Sequence, residues 1–283
     1  MFPAPIAGQP GKENAYRIAL LVSLTVWLLP ILAVALTSMR SIEDLNKGDI
    51  WSLPRHPKLI ENYADVLTNS AMPDFIFNSF LITVPSVIGT LALSAMAAFV
   101  LAKIHFPGRA VLLGVFIAGN LAPFQALMIP VRQFTIETLG IYDTHLALIL
   151  FHTAFQTGFC TLLLHTFIRR VPEALIESAR LDGVSEVRIF YKVVLPLIRP
   201  ALAAAAVLVF TFVWNDFFWS LVLVQSDDVR PVTAGLQSLR GMWLASWHLI
   251  SASAIIAAAP PVTVFFLMQR HFITGLTSGA LSE

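Results

Sequence analysis

Apolar residues run along this chain in long unbroken blocks, without the alternation or one-sided spacing of a water-soluble fold. Six blocks, at residues 18–38, 75–102, 110–131, 145–168, 201–224 and 249–269, hold no Lys, Arg or Glu and a single Asp, Asp216. About 20 mostly apolar residues cross a hydrocarbon core of about 30 Å as a helix. The pattern therefore predicts six transmembrane helices. Between the fourth and fifth blocks it changes: residues 171–200 read VPEALIESARLDGVSEVRIFYKVVLPLIRP, dense in charge and spaced for amphipathic helix. Pro172 suits a first helical position, where its missing N–H costs nothing, and Glu173 faces the positive end of the helix dipole. Ala174, Leu175, Ile176, Ala179 and Leu181 supply an apolar face, and Glu177 with Arg180 forms an i,i+3 pair. Gly183 suits the left-handed position that ends a helix. Ser185 is a cap for a second helix, which carries Val187, Phe190, Tyr191 and Val194 before Pro196 and Pro200. The prediction is a helix, a glycine turn and a helix lying along one membrane face.

Composition agrees. Apolar residues make up 57% of the chain and charged residues 12%, against roughly 25% charged in an average soluble domain. An all-α polytopic membrane protein follows: a tail at 1–16, one transmembrane domain at 17–270 with its central loop at 169–200, and a tail at 271–283. The longest connection, 39–74, contains Trp51, Pro54, Pro57 and Tyr63, and reads as an ordered cap with a short helix over 59–67. The net charge of +1 is uninformative, but its distribution is not. With the amino terminus inside, the inner segments hold Lys12, Arg17, Lys103, Arg109, Arg169, Arg170, Arg180, Arg188, Lys192, Arg199 and Arg270, and outnumber the outer cations. That bias places both termini in the cytoplasm. Ala33-Val34-Ala35 resembles a signal cleavage site, yet the apolar run exceeds the roughly 7–15 residues of a signal core. The expectation is a retained first helix.

Much chemistry is excluded. The single Cys160 falls inside the fourth block, which rules out an intrachain disulfide and favours a small buried hydrophobe. A phosphate-binding loop needs Gly-x-x-x-x-Gly-Lys-Ser/Thr; Gly11-Lys12 is followed by Glu13 and lacks the earlier Gly. No metal-binding His-Glu-x-x-His and no nucleophile elbow occurs, so no catalytic residue, metal site or bound cofactor is expected. His152 and His165 stand alone without ligand spacing and read as packing.

The loop pattern alone fits an interfacial linker without a partner equally well. Its residues add a resemblance. Glu177-Ser178-Ala179, then Gly183, Val193 and Leu195-Pro196, resemble the signature loop of ABC-importer membrane subunits, with Ser178 and Val193 as the two departures from Glu-Ala-Ala and Ile-x-Leu-Pro. Asn78-Ser79, Asp182-Gly183, Leu195-Pro196-Leu197, Trp214-Asn215-Asp216-Phe217 and Gln269-Arg270-His271-Phe272 are similar to the sugar-importing branch, in particular to the second six-span permease of maltose-type systems. The resemblance implies a type I ABC-importer transmembrane domain in a bacterial inner membrane. It implies a second permease subunit in a heterodimer, two ATPase subunits that carry ATP and Mg, an extracytoplasmic solute-binding protein, a carbohydrate-like solute, and no nucleic acid. It further implies an ATPase contact at Glu177, Ala179, Asp182 and Gly183, with Leu195 and Pro196 setting the angle of return to the membrane. Gly235 and Gln237, in the last outer loop, would approach the binding protein, with solvated loop as the alternative.

Asn78, Asn120, Gln125, Trp214, Asn215 and Asp216 are candidates for the solute path. An intramembrane ionisable group is a functional hypothesis by default. The alternative is that the aromatics form an interfacial belt and the polar groups bridge helices. An ion- or proton-coupled secondary carrier is the competing function, although such carriers usually show inverted repeats and several embedded charges.

Overall fold

The computed structural model describes residues 10–48, 51–121, 123–242 and 246–280. Residues 1–9 and 281–283 of the two expected tails lie outside them. Among the described residues every regular element is helical. The four longest helices arise where the apolar blocks are least interrupted: α1 (Pro10–Ser38), α4 (Met72–Lys103), α7 (His145–Arg169) and α14 (Trp247–Ala280). At 1.5 Å per residue, even α7, with 25 residues, reaches about 38 Å and clears a bilayer core. α1 begins inside the expected amino-terminal tail and α14 continues through the expected carboxy tail to Ala280.

The other two blocks are not straight rods: a break interrupts each of them. Over 110–131, α5 (Arg109–Leu121) stops before Pro123, which is extended at ψ 109. A 3-10 turn (Phe124–Leu127), α6 (Met128–Gln133) and a π turn (Phe134–Thr138) follow at 93° to α5. Thirteen residues cover only about 20 Å, too short to cross alone. Over 201–224, α11 (Arg199–Trp214) ends at Asn215, and α12 (Phe218–Leu223) restarts after Asp216. Asn and Asp side chains compete with the backbone for its own hydrogen bonds and so interrupt helices. By length and composition four of the described helices can cross a membrane, or up to six if the bent pairs 109–121 with 124–138 and 186–197 with 199–214 each count as one span.

The chain packs as two units, 1–70 with 238–256 and 71–237 with 257–283. In the first, the chain after α1 folds into α2 (Ile42–Asn46) and α3 (Leu59–Thr68), the latter close to the short helix expected. Asn62 of α3, buried, donates from Nδ2 to the Ser38 and Arg40 carbonyls, each at 2.9 Å. Asp44 accepts from the backbone N–H of Arg55 and His56, and Arg40, 1% exposed, bonds Ser52. Polar bonds to backbone, rather than apolar mass, thus fix this cap.

The second unit is organised around α4 against α7. Small and hydroxylated residues of α4, Ser79, Thr83, Ser86, Thr90, Ser94, Ala95 and Ala98, are buried. Gly89 admits Thr153 so closely that a Cβ there would lie 3.0 Å from its methyl. Small residues let membrane helices approach and let hydroxyls share backbone carbonyls. Ser94 Oγ donates to Thr90 O at 2.6 Å in its own helix and lies 3.3 Å from Thr157 O in α7. The core continues through Leu148, Leu164 and Ile168 of α7 to Ala201, Ala205 and Val209 of α11.

Asn62→Ala leaves two carbonyls without that donor and should weaken the first unit by about 1–3 kcal/mol. Hydrogen exchange is expected to accelerate over 39–48 and 59–68 while α4 and α7 keep their protection.

Candidate functional site

The central loop is built on a glycine. α8 (Glu173–Leu181) follows Pro172 and ends at Asp182, after which Gly183 turns left-handed at φ 75. Gly183 N–H donates to Arg180 O and Val184 N–H to Ala179 O, both at 3.0 Å. That pair of bonds is a Schellman stop, and Ala179 and Val184 both pack on the core. No atom lies within 4 Å of where a Cβ of residue 183 would sit, so the demand for glycine is conformational and not spatial. Ser185 takes the extended cap conformation without a side-chain bond, and the chain enters α9 (Glu186–Ile189), a π turn (Phe190–Val194) and α10 (Leu195–Leu197). At Ile198, just beyond Leu195 and Pro196, the direction changes by 79° into α11.

Charge holds this elbow to α4. Lys103, 4% exposed at the end of α4, donates from Nζ to Val171 O at 2.6 Å and to Glu173 Oε2 at 2.9 Å. Arg180 reaches back with Nη2 to Lys103 O at 3.2 Å and clasps Glu186 through Nε at 2.6 Å and Nη2 at 3.2 Å. The expected Glu177–Arg180 pair gives way to this clasp; Glu177 acts on the guanidinium only through its longer-range field. The Glu186 hydrogen bonds hold the Arg180 guanidinium above its ordinary pKa. Beneath the clasp Ile176, Ile189 and Val194 are fully buried, and Phe190 meets Phe99 at 5.4 Å. Facing outward are Glu177, Ser178, Asp182 and Gly183, while Ala179, Leu195 and Pro196 are half-buried. Sequence reasoning passed over Leu181 as a contact. At 88% exposed it is the most exposed large apolar side chain among the described residues, next to the glycine turn.

The solute-path candidates scatter. Trp214 is buried, stacked on Phe210 at 5.5 Å, and its Nε1 donates to Ala257 O at 3.0 Å. Asn215 donates to Thr211 O in its own helix, and Gln125 is exposed on the 3-10 turn. Asn78 is a staple at the end of α4 away from the loop: its Nδ2 donates to Asp228 O and Arg230 O, and its Oδ1 lies 2.8 Å from His145 Nε2. Next to it Ser79 Oγ accepts from Val232 N. Asp143, at φ 60, ties the same end by accepting from the Gln225 and Ser226 N–H groups and the Ser226 hydroxyl. Burial pushes the Asp143 carboxyl up, but these donors outweigh it and leave it below its ordinary pKa. Gly235, in α13 (Val232–Met242), is buried where a Cβ would strike the Phe75 ring at 2.1 Å, while Gln237 is exposed.

Asn120 and Asp216 do meet. They line one cavity of about 380 Å³ with His152 and Gln156 of α7, walled by Phe124, Phe151, Phe155, Phe159, Phe212 and Trp219. The Asp216 carboxylate caps α12, accepting from Trp219 N at 3.2 Å, Ser220 N at 3.0 Å and Ser220 Oγ at 3.1 Å, and faces His152 Nε2 at 3.6 Å. Gly158 gives Asn120 its place, since a Cβ there would fall 3.0 Å from the amide nitrogen. His152 read as packing in the sequence because its partner lies far along the chain, beyond α11. The arrangement suits binding: a few convergent polar groups on an aromatic wall.

A family model for binding-protein-dependent transport system inner membrane components matches residues 90–278. The osmoprotective compounds uptake permease protein GgtD of Synechocystis sp. is 37% identical over 273 residues, covering 94% of this chain and 91% of that one. The alpha-glucoside transport system permease protein AglG of Rhizobium meliloti is 36% identical over 228 residues, 78% of this chain and 60% of its own. Among solved structures, a bacterial ABC transporter involved in the import of the acidic polysaccharide alginate superposes with a TM-score of 0.81 at 21% identity, over 96% of this chain and 99% of that one. The fold is that of a type I ABC-importer transmembrane domain.

Because the left-handed turn alone demands glycine, Gly183→Asn should unfold near the wild-type temperature. Gly183→Val should cost roughly 1–2 kcal/mol locally. Limited proteolysis of the purified protein is expected to cut 171–200 faster in the valine variant only.

Proposed function

The chain belongs to the binding-protein-dependent transport system inner membrane components, and from that premise we propose that it is the permease subunit through which an ATP-driven importer takes up a carbohydrate or similar polyhydroxylated solute. It is a transporter subunit and not an enzyme. It pairs with a second, different permease, while ATP and Mg are handled by two separate ATPase subunits and the solute arrives from an extracytoplasmic binding protein. The chain lies in a bacterial inner membrane with both termini in the cytoplasm, which puts the 171–200 elbow on the ATPase side. Relatives named for alpha-glucoside and osmoprotectant uptake support the solute class.

One observation carries the mechanism: the elbow is a glycine-stopped helix pair tied by charge to α4, with an apolar tip. Its glycine stop fixes the angle between α8 and α9, Lys103 and Arg180 lock it to α4, and Leu181 projects beside Glu177 and Asp182. Leu181 seats in the ATPase surface, with Glu177 and Asp182 at the polar rim of the contact. Closure of the ATPase pair then displaces α4, and through the α4–α7 seam it moves the wall of the aromatic cavity. Ala179 serves beneath the contact as part of the glycine stop, and Leu195–Pro196 prepare the turn at Ile198. At the opposite end Gln237 presents to the binding protein, and Gly235 holds that segment down on Phe75. Asn120 and Asp216 belong to the solute path; Asn78, Gln125, Trp214 and Asn215 support it from outside the cavity.

In proteoliposomes containing the whole importer, Glu177→Lys and Gly183→Pro should insert normally yet separate ATP hydrolysis from uptake, with transport per ATP lowered at least tenfold. Leu181→Ala should weaken ATPase copurification. Wild-type coupling in all three would overturn the assignment of the elbow.

A further inference from the structure

The cavity carries the functional reading one step further, and the step rests on that reading. Of the side chains lining it, the only ionisable ones among the described residues are Asp216 and His152, 3.6 Å apart. Asn120 and Gln156 add amides, and none of the described lining residues is Lys or Arg. With Asp216 as a carboxylate, the pair sums to a formal charge of 0 or −1. Nor can the carboxylate turn aside for an incoming anion, since Trp219 N, Ser220 N and Ser220 Oγ hold both its oxygens as the cap of α12. Phe155 and Trp219 belong to its aromatic wall; a ring face, whose quadrupole is negative, accepts the C–H face of a sugar but not an anionic group.

We infer that this subunit passes neutral polyhydroxylated solutes and rejects anionic ones such as uronates, sulfonates and sugar phosphates, with Asp216 as the specificity-determining residue and His152 positioning it. At an effective dielectric near 20, two like charges about 6 Å apart repel enough to weaken occupancy roughly 100-fold.

The potential of the cavity is measurable without knowing the solute. In a Cys160→Ala background, Gln156→Cys and, separately, Asn120→Cys are reacted in the assembled importer with methanethiosulfonates bearing an ammonium or a sulfonate, each rate normalised to a free thiol. Copurification of the partner subunits establishes assembly of each variant. The ammonium reagent should react at least tenfold faster at both positions, and Asp216→Asn, which keeps an acceptor for the cap, should bring the ratio close to one. A ratio at or below one, or a ratio indifferent to Asp216→Asn, overturns the proposal. Uptake assays separate it from the broader reading. Efficient ATP-driven import of an anionic sugar would sink the charge selection alone, whereas an importer that moves no carbohydrate would sink the functional reading beneath it.

Discussion

An ammonium group closed off from solvent at the end of α4 is the constraint on which the loop's position depends. A buried cation is tolerable only when paired and hydrogen-bonded, and removing one partner from a buried pair typically costs several kcal/mol. Lys103 meets that demand with one backbone carbonyl and one carboxylate, both supplied by the start of the loop. Arg180 closes the circuit by bonding the carbonyl of Lys103 itself. The loop therefore cannot lift from α4 without stranding a charge, so a force applied to α8 is delivered to a helix that runs 32 residues through the second unit. Stiffness at the turn and adhesion at the clasp are separate physical effects, the first set by backbone chirality at Gly183 and the second by electrostatics.

What the sequence discloses follows from how local each determinant is. α1, α4, α7 and α14 are legible because continuous apolar content is a property of one stretch read alone. The glycine stop is legible for the same reason: Ala179, Gly183 and Val184 are neighbours. The breaks within residues 110–131 and 201–224 were overridden by hydropathy although Pro123 and Asp216 stood in plain view, since a window average cannot weigh one helix-ending residue against many apolar ones. Arg180 shows the next limit. Periodicity offered Glu177, three residues back, but the fold brings Glu186 round the turn to a bidentate grip, and geometry decides between two carboxylates that pattern cannot rank. The cavity was the least accessible. His152 and Asp216 lie on different elements, and Trp214, chosen for its chemistry, is spent on packing.

The cavity and the elbow are joined through α7, which lines the first and leads into the second. Phe151 and Phe155 stack along α7 at 5.6 Å, and Phe151 meets Trp219 of α12 at 3.8 Å. α7 is the helix that α4 packs against most closely, through Gly89 and Thr153. In the mechanism we propose, a solute held against these rings is in mechanical contact with the loop through two interlocked helices. Asp216 has two duties that do not conflict: its oxygens cap the start of α12, and in the charge selection we infer, the same group sets the sign of the space beside it.

The staple at the other end of α4 has a temporal side. Asn78 bonds the carbonyl of Arg230, 152 positions later in the chain. At synthesis rates of about 5–20 residues per second, roughly 8–30 s pass between the emergence of the two from the ribosome. During that interval the Nδ2 donor has no native acceptor, so this end of α4 is first tied through Oδ1 to His145 and gains its second tie only when the 228–230 segment has been made.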